Sequence, residues 1–424
     1  MAGLRFNRNA VTVAEGQRHI LDCVRTMPVE KVPLAEAYGR YLAADVAAAH
    51  PLPHFRRSGV DGYALRADDT ASARPGLPAE LDVLETILCG TVPAHAIGPG
   101  QASRIMTGAV VPDGADAVVM LEATEQAQAE QAQAEQAGIY AGGKVRIKKR
   151  AVPGENITSV GEEVSRGEAL LHAGETIGPG EAALLAAFGY ELVPVYRQPK
   201  VAIFPTGSEL LPLSAPLEPG KIRESNSFML ACQVRRAGGV PLTVPNVPDD
   251  PQRLEQALLE AMKEADVLIT TGGVSVGDKD VLVELFERWS GRLLFNKVQM
   301  RPGSPTSAGL WNGKLLFALS GNPGACFVGF ELFVRPYLQA ALGSRSPLPD
   351  EAAAVLDVGY AKGSAYPRYV RGVVLQDEET VKVRPAGRDK SSVMVSLKDT
   401  GCLIHLPAGG QGMPAGSRVR MIRL

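Results

Sequence analysis

The sequence predicts a multidomain α/β plus β protein, in which a doubly wound α/β domain, a β-rich unit and a C-terminal β-barrel-like domain follow from three observations. The chain has 424 residues, well beyond the roughly 100 to 200 that one domain usually holds. From Pro199 onward, apolar strand-like runs alternate with helix-like segments, the rhythm of a parallel sheet covered on both faces. Across residues 81–119 and again beyond Pro347, short β-prone runs are divided by Gly and Pro.

Along the chain, residues 11–25 (VTVAEGQRHILDCVR) place Ile20, Leu21, Val24 and their neighbours at helical spacing, so an amphipathic helix is expected. A proline-studded connector at residues 50–55 sets a boundary near residue 52. The runs LDVLETI, SRIMTGAVV and ADAVVML then read as strands of a small β-rich unit. Residues 123–138, ATEQAQAEQAQAEQAG, have no apolar side chain larger than Ala, so they read as a solvated loop extension or a partner-binding helix. Short strands return, with one apolar helix at 179–188.

In the α/β region, PKVAIFPTG and DVLITTGG are strands ending in Gly turns, and KLLFALSGNP repeats the pattern. NSFMLACQVRR and PQRLEQALLEAMKEA are helices, the second with Pro at its start and Asp249 or Asp250 available to cap it. The helix after Pro323 runs to Gly343, and the last segment, about 75 residues of short strands, suggests a barrel or sandwich.

Composition narrows the function. Hydrophobic residues make up 45% and charged residues 21%, as in ordinary globular protein. Lys plus Arg number 44 against 46 Asp plus Glu, a net charge of -2, so no global field gathers nucleic acid or an anionic membrane. The start, MAGLRFNRNAVTVAEG, lacks a long apolar core, and no run reaches the roughly 18 apolar residues of a membrane span, so a cytoplasmic location is expected. Cys23, Cys89, Cys232, Cys326 and Cys402 lie far apart without a C-x-x-C pair, and are expected to be reduced core residues. No Ser-His-Asp or Cys-His arrangement is apparent, so positioning and electrostatics would carry the chemistry.

Three turns at strand ends should gather at one sheet edge: Thr206-Gly207-Ser208-Glu209, Gly272-Gly273-Val274-Ser275-Val276-Gly277-Asp278, and Gly321-Asn322-Pro323. Glycine lets the backbone approach a ligand, and turn N–H groups bind phosphate oxygens without net positive charge. No Gly-Lys-Ser/Thr or G-x-G-x-x-G is present, which disfavours ordinary ATP or NAD chemistry.

TTGGVSVGDKD resembles the signature turn of molybdopterin-binding domains, and PTGSEL, KIRESN (with Ser225 and Asn226) and LSGNP are similar to companion motifs of the molybdopterin molybdenumtransferases, the family of bacterial MoeA and the gephyrin C-terminal region, in the same order. RRSGVDGYAL and IMTGAVVPDGADAVVMLE resemble its upstream motifs. The resemblance covers about residues 10–424 and implies four parts. These are a mixed α+β linker domain (26–52 and 148–195), an inserted β-rich domain (53–147), a molybdopterin-binding α/β domain (10–25 and 196–345) and a C-terminal β domain (346–424).

It also implies a reaction: molybdate enters adenylylated molybdopterin, the phosphoanhydride is cleaved, and AMP leaves. Cleaving that bond calls for Mg²⁺, a hard cation that prefers carboxylates and water. Glu209 and Asp280 follow two of the turns and are the expected ligands, although either also suits a helix start. Asp249 and Asp250 serve equally as catalytic acids or helix caps. Asp61 and Thr107 are implied as catalytic by the resemblance alone; their ordinary readings are a hairpin turn and a strand hydroxyl. The family resemblance further implies a homodimer and docking of a molybdopterin adenylyltransferase and of molybdoenzyme chaperones.

For molybdate, Lys297 and the Arg301-Pro302-Gly303-Ser304 turn supply cations and a hydroxyl. Here the chain departs from the family pattern Lys-Pro-Gly-Lys-Pro: Arg301 keeps a charge, Ser304 loses one, and Ala325 stands where many relatives have Ser. Arg368 or Arg371 could supply the missing charge, or be solvated strand arginines. Two rivals remain at this point: a non-catalytic molybdopterin-binding scaffold that holds a partner peptide, and a relative that inserts tungstate or adenylylates the pterin.

Overall fold

The computed structural model describes residues 10–126, 143–248, 250–273, 281–376, 380–410 and 412–424. The chain forms two compact units, one of residues 1–44 and 172–424 and one of Asp45–Leu171.

The larger unit is built on a mixed six-stranded sheet. Its strands are β1 (Lys200–Pro205), β2 (Val240–Thr243), β3 (Val267–Thr271), β4 (Arg292–Phe295), β5 (Ser307–Trp311) and β6 (Lys314–Leu319), in the spatial order β2-β1-β3-β6-β5-β4. β2, β1, β3 and β6 are parallel, whereas β5 and β4 continue the sheet antiparallel.

Among the described residues these strands are accompanied by the helices α1 (Val13–Leu21), α2 (Asn226–Arg236), α3 (Pro251–Ala261), α4 (Val281–Arg288), α5 (Pro323–Gly329) and α6 (Arg335–Ala341). α1 is shorter than the expected 11–25. Thr12 and Glu15 close a capping box at its start, and Asp22 ends it.

Alternate residues of β1 enter opposite cores, as the pleat requires. Val201 and Ile203 pack with Leu230 and Val234 of α2 and Phe330 and Phe333 of the segment after α5. Ala202 and Phe204 pack with Leu254 and Leu258 of α3 and Leu282 and Leu285 of α4. A strand with both faces buried has no room for polar alternation, which is why these runs are apolar throughout.

Between α5 and α6 the helix widens into one π turn, Phe330–Val334. The last strands close a five-stranded barrel from Glu351–Leu356, Arg368–Gln376, Val381–Pro385, Cys402–Leu406 and Arg418–Arg423.

The second unit carries its own six-stranded sheet, ordered Ala117–Met120, Gly62–Leu65, Gln101–Ile105, Ala79–Ile87, Lys144–Ile147 and Thr124–Gln126. Its core gathers Tyr63, Leu65, Leu81, Val119, Val145 and Ile147. Most of the Gln-Ala-Glu repeat, residues 127–138, lies outside the described residues.

The five cysteines are free, as expected, but only Cys326 and Cys402 are buried; Cys23 is half-buried, and Cys89 and Cys232 are exposed. The expectation that all five sit in the core is therefore corrected: Cys232 lies on the outer face of α2, and Cys89 follows the end of a strand in a turn. No helix among the described residues is long and apolar enough to cross a membrane.

Candidate active site

In this strand order the chain leaves β1 toward β2 and then crosses to β3 on the other side, which makes the carboxyl ends of β1 and β3 a topological switch point, where open α/β sheets bind ligands. The turns after β1, β3 and β6 meet there. The Thr206 N–H donates to Thr271 O at 3.0 Å, and the Gly272 N–H donates to Leu319 O at 3.2 Å. Gly272 has φ +101, and a Cβ built on it would lie 2.3 Å from Thr206 O, so only glycine lets the first two turns come this close.

The third turn is joined by Asn226, the first residue of α2. Its Nδ2 donates to Thr271 Oγ1 at 2.8 Å and to Gly321 O at 2.8 Å. Thr271 Oγ1 in turn donates to Ser320 O at 3.3 Å and touches Cys326 Sγ at 3.6 Å. Burial pushes the Cys326 thiol up to about 12, which keeps it protonated and rules out a thiolate beside the turns. Asn322 N–H is held by Ser320 Oγ at 3.2 Å, and Pro323 begins α5. Thr206, Gly207, Ser225, Asn226, Gly272, Gly273, Gly321, Asn322 and Pro323 thus share one edge of the sheet.

Ser208 and Glu209 are exposed on the turn after β1. The turn is braced by a small ladder, in which Leu210–Leu211 pair with Ile222–Arg223, and by the Lys221 ammonium on Ser208 O. Glu209 does not cap a helix; its carboxylate folds back over Gly207, 2.4 Å from where a Cβ would stand. Asp250 does cap a helix: its Oδ1 accepts from Gln252 N at 2.9 Å and Arg253 N at 3.1 Å, at the start of α3. Asp249, Ser275, Gly277, Asp278 and Asp280 lie outside the described residues. Among the described residues, no group of three His, Cys, Asp or Glu could hold a metal ion by itself.

Lys297 is half-buried after β4, where its carbonyl accepts from Val11 N–H at 3.1 Å. The Arg301 N–H donates to Pro367 O at 2.9 Å, and Arg301 O accepts from Tyr369 at 2.8 Å, so the turn is laid against the barrel strand Arg368–Gln376. Arg301 itself is exposed, Pro302 half-buried and Gly303 buried.

Ser304 points inward. It is 7% exposed, and its Oγ donates to Val298 O at 2.8 Å, so the hydroxyl closes the turn instead of facing a ligand. Arg371 is not a solvated strand arginine either. It is 3% exposed, donates to Val393 O at 2.7 Å and Lys390 O at 2.8 Å, and burial lowers its pKa. Its guanidinium covers Gly324, where a Cβ would stand 2.4 Å from Nη1. Arg368 reaches Asp389 at 3.5 Å and lies over the Tyr360 ring.

A cavity of about 460 Å³ opens beside Asn226 and Pro323, walled by Met229 and by Met394, Val395 and Leu397 of the barrel's long loop, residues 386–401. The sequence reading missed these wall residues. The signal for three of them was the apolar cluster Val393, Met394, Val395 and Leu397 within the charged and hydroxyl-rich segment DKSSVMVSLKD.

In the second unit, Asp61 and Thr107 meet across two loops. Asp61 Oδ1 accepts from both the Thr107 N–H and its hydroxyl, each at 2.7 Å. These two donors hold the Asp61 carboxyl below its usual range. Thr107 lies in the turn after the strand Gln101–Ile105, so it is not a strand hydroxyl. Cys89 Sγ donates to Thr107 O at 2.8 Å.

The MoeA N-terminal region (domain I and II) matches residues 11–189, a probable molybdopterin binding domain matches 202–340, and the MoeA C-terminal region (domain IV) matches 353–424. A molybdopterin molybdenumtransferase of Bacillus subtilis is 44% identical over 417 residues, covering 98% of this chain and 94% of that protein. One from Staphylococcus aureus is 38% identical over 98% of this chain and 96% of its own length. The crystal structure of a molybdopterin biosynthesis MoeA protein from Pyrococcus horikoshii aligns with TM-score 0.81 at 31% identity, covering 98% of this chain and all of that one.

Proposed function

This chain belongs to the molybdopterin molybdenumtransferase family, and from that premise we propose that it inserts molybdate into adenylylated molybdopterin and cleaves the phosphoanhydride with release of AMP. It is a transferase of molybdenum cofactor biosynthesis. One observation carries the finer reading: three glycine turns converge at the switch point, two of them joined by Asn226 and the first tied in by the Thr206–Thr271 backbone bond, with an apolar cavity beside them.

The ligand so accommodated has phosphates and a planar ring. Turn N–H groups suit phosphate oxygens, and the cavity walls of Met229, Met394, Val395 and Leu397 suit a ring face. Holding the substrate at fixed turns lowers the entropic part of the barrier without a covalent intermediate. The half-buried Lys297 and exposed Arg301 lie on the segment that docks against the barrel and are the cations proposed for molybdate.

Mg²⁺ would neutralise charge on the phosphoryl oxygens of the anhydride, favouring its cleavage. It needs only one or two carboxylates when phosphate oxygens and water complete its shell, and an exposed Glu209 on the first turn fits that donor set. Asp280 is proposed as its companion.

The Asp61–Thr107 pair is proposed as a second catalytic element, its carboxyl kept ionised by the two Thr107 donors. The proposed assembly is a cytoplasmic homodimer that takes its substrate from a docked molybdopterin adenylyltransferase and passes its product to molybdoenzyme chaperones.

Titration calorimetry tests the binding half of this proposal. The native protein should bind adenylylated molybdopterin more tightly than AMP alone, and Asn226→Ala should weaken that preference. Equal affinity for the two ligands would refute it.

A further inference from the structure

Glu331 is fully buried in the π turn between α5 and α6, with a relative exposure of 0%. Its carboxylate accepts from Gln233 Nε2 at 2.7 Å, pairs with Arg335 Nη1 at 3.3 Å, and takes the Arg236 guanidinium as a third partner. A buried carboxylate with three donors is costly to assemble and strongly destabilising to break, so it fixes the elements that supply its donors. Two of those donors, Gln233 and Arg236, belong to α2.

The opposite end of α2 carries Asn226, which joins the turns after β3 and β6. Asn226 and Gln233 are seven residues apart, two helical turns, and so share a face. Gln233 Nε2 also reaches Phe327 O at 3.3 Å, on the helix whose Cys326 touches Thr271. The π turn adds a residue to one helical turn, and such widenings frequently accompany functional sites. Glu331 lies within this turn and meets Gln233 there.

We propose that Glu331 is a positioning residue for the strand-end site: through Gln233 and Arg236 it sets the rotation and height of α2, and thereby the contact of Asn226 with Thr271 and Gly321. The site assignment is that of the proposed function, but the mechanical coupling is testable without substrate.

Gln233→Leu removes one donor while leaving Glu331 its two arginines, so the fold survives. Asparagine-selective ¹⁵N labelling then reports on Asn226, whose side-chain amide signals are identified by their loss in Asn226→Ala. Gln233→Leu should shift or broaden those signals and weaken adenylylated molybdopterin binding about tenfold. Glu331→Gln in the otherwise native chain, which keeps an acceptor for Gln233, should retain most of the native spectrum. The double variant Gln233→Leu/Asn226→Ala should bind no more weakly than Asn226→Ala alone.

Unmoved Asn226 signals in Gln233→Leu, or additive losses in the double variant, would overturn the inference. A native protein that shows the spectral coupling yet binds no adenylylated molybdopterin would leave the inference standing and count against the site reading instead.

Discussion

Asn226 Nδ2 stands 2.8 Å from Thr271 Oγ1, a contact between residues 45 apart in sequence that ties the start of one helix to the end of the central strand. The same nitrogen reaches Gly321 O, so a single carboxamide joins two of the three turns. Asn226→Ala should cost about 1–3 kcal/mol of stability, since it leaves two acceptors without their donor. Chemical denaturation measures this. Asn226→Asp should be no better, because a carboxylate would face the Gly321 carbonyl.

Ser304 and molybdate provide a second prediction. Because its hydroxyl donates inward to Val298 O, Ser304→Ala should lower stability by about 1 kcal/mol. The concentration of molybdate needed for half-maximal AMP release should stay unchanged. A large rise in that concentration would mean that the hydroxyl turns toward the oxyanion.

Gly324 lies under Arg371 with no space for a methyl group, its built Cβ being 2.4 Å from Nη1 and 2.9 Å from Ser391 O. Gly324→Ala should therefore push the barrel's long loop away and cost about 1–3 kcal/mol as overpacking. Arg371→Lys should cost about the same, since a single ammonium cannot reproduce the two guanidinium bonds to Lys390 O and Val393 O.

For Asp61, Thr107→Val removes one of two donors and should raise the carboxyl pKa toward its ordinary value, whereas Thr107→Ser should not. A carboxyl held low in the fold contributes stability above its unfolded pKa and loses it as pH falls through the folded one. The native protein should therefore retain this contribution to lower pH than Thr107→Val does. Carboxyl ¹³C titration of the pair of variants checks the shift directly.

The gathering of the three turns was legible because each follows an apolar strand covered on both faces, and parallel strands bring their carboxyl ends to one edge. The two antiparallel strands, Arg292–Phe295 and Ser307–Trp311, were not, because RLLF and SAGLW are too short to show a clear strand period. Arg371 looked like an exposed strand residue in RYVRGVV. Its burial depends on the carbonyls of Lys390 and Val393, about 20 residues on, which no local pattern announces.

Asp250 could be read from sequence as a cap or as a catalytic acid, and in the fold its carboxylate caps α3. The Asp61–Thr107 contact joins residues 46 apart. Only the family resemblance directed attention to it, since neither residue lies in a periodic run.

The central claim is tested most directly by AMP release from the purified 424-residue chain given adenylylated molybdopterin and Mg²⁺, with and without molybdate, beside Glu209→Ala and Asn226→Ala. Release that depends on molybdate, falls by about 10²-fold or more in Glu209→Ala and weakens in Asn226→Ala is the expected result. Tight binding of adenylylated molybdopterin by the native chain with no AMP released under any of these conditions would contradict the account.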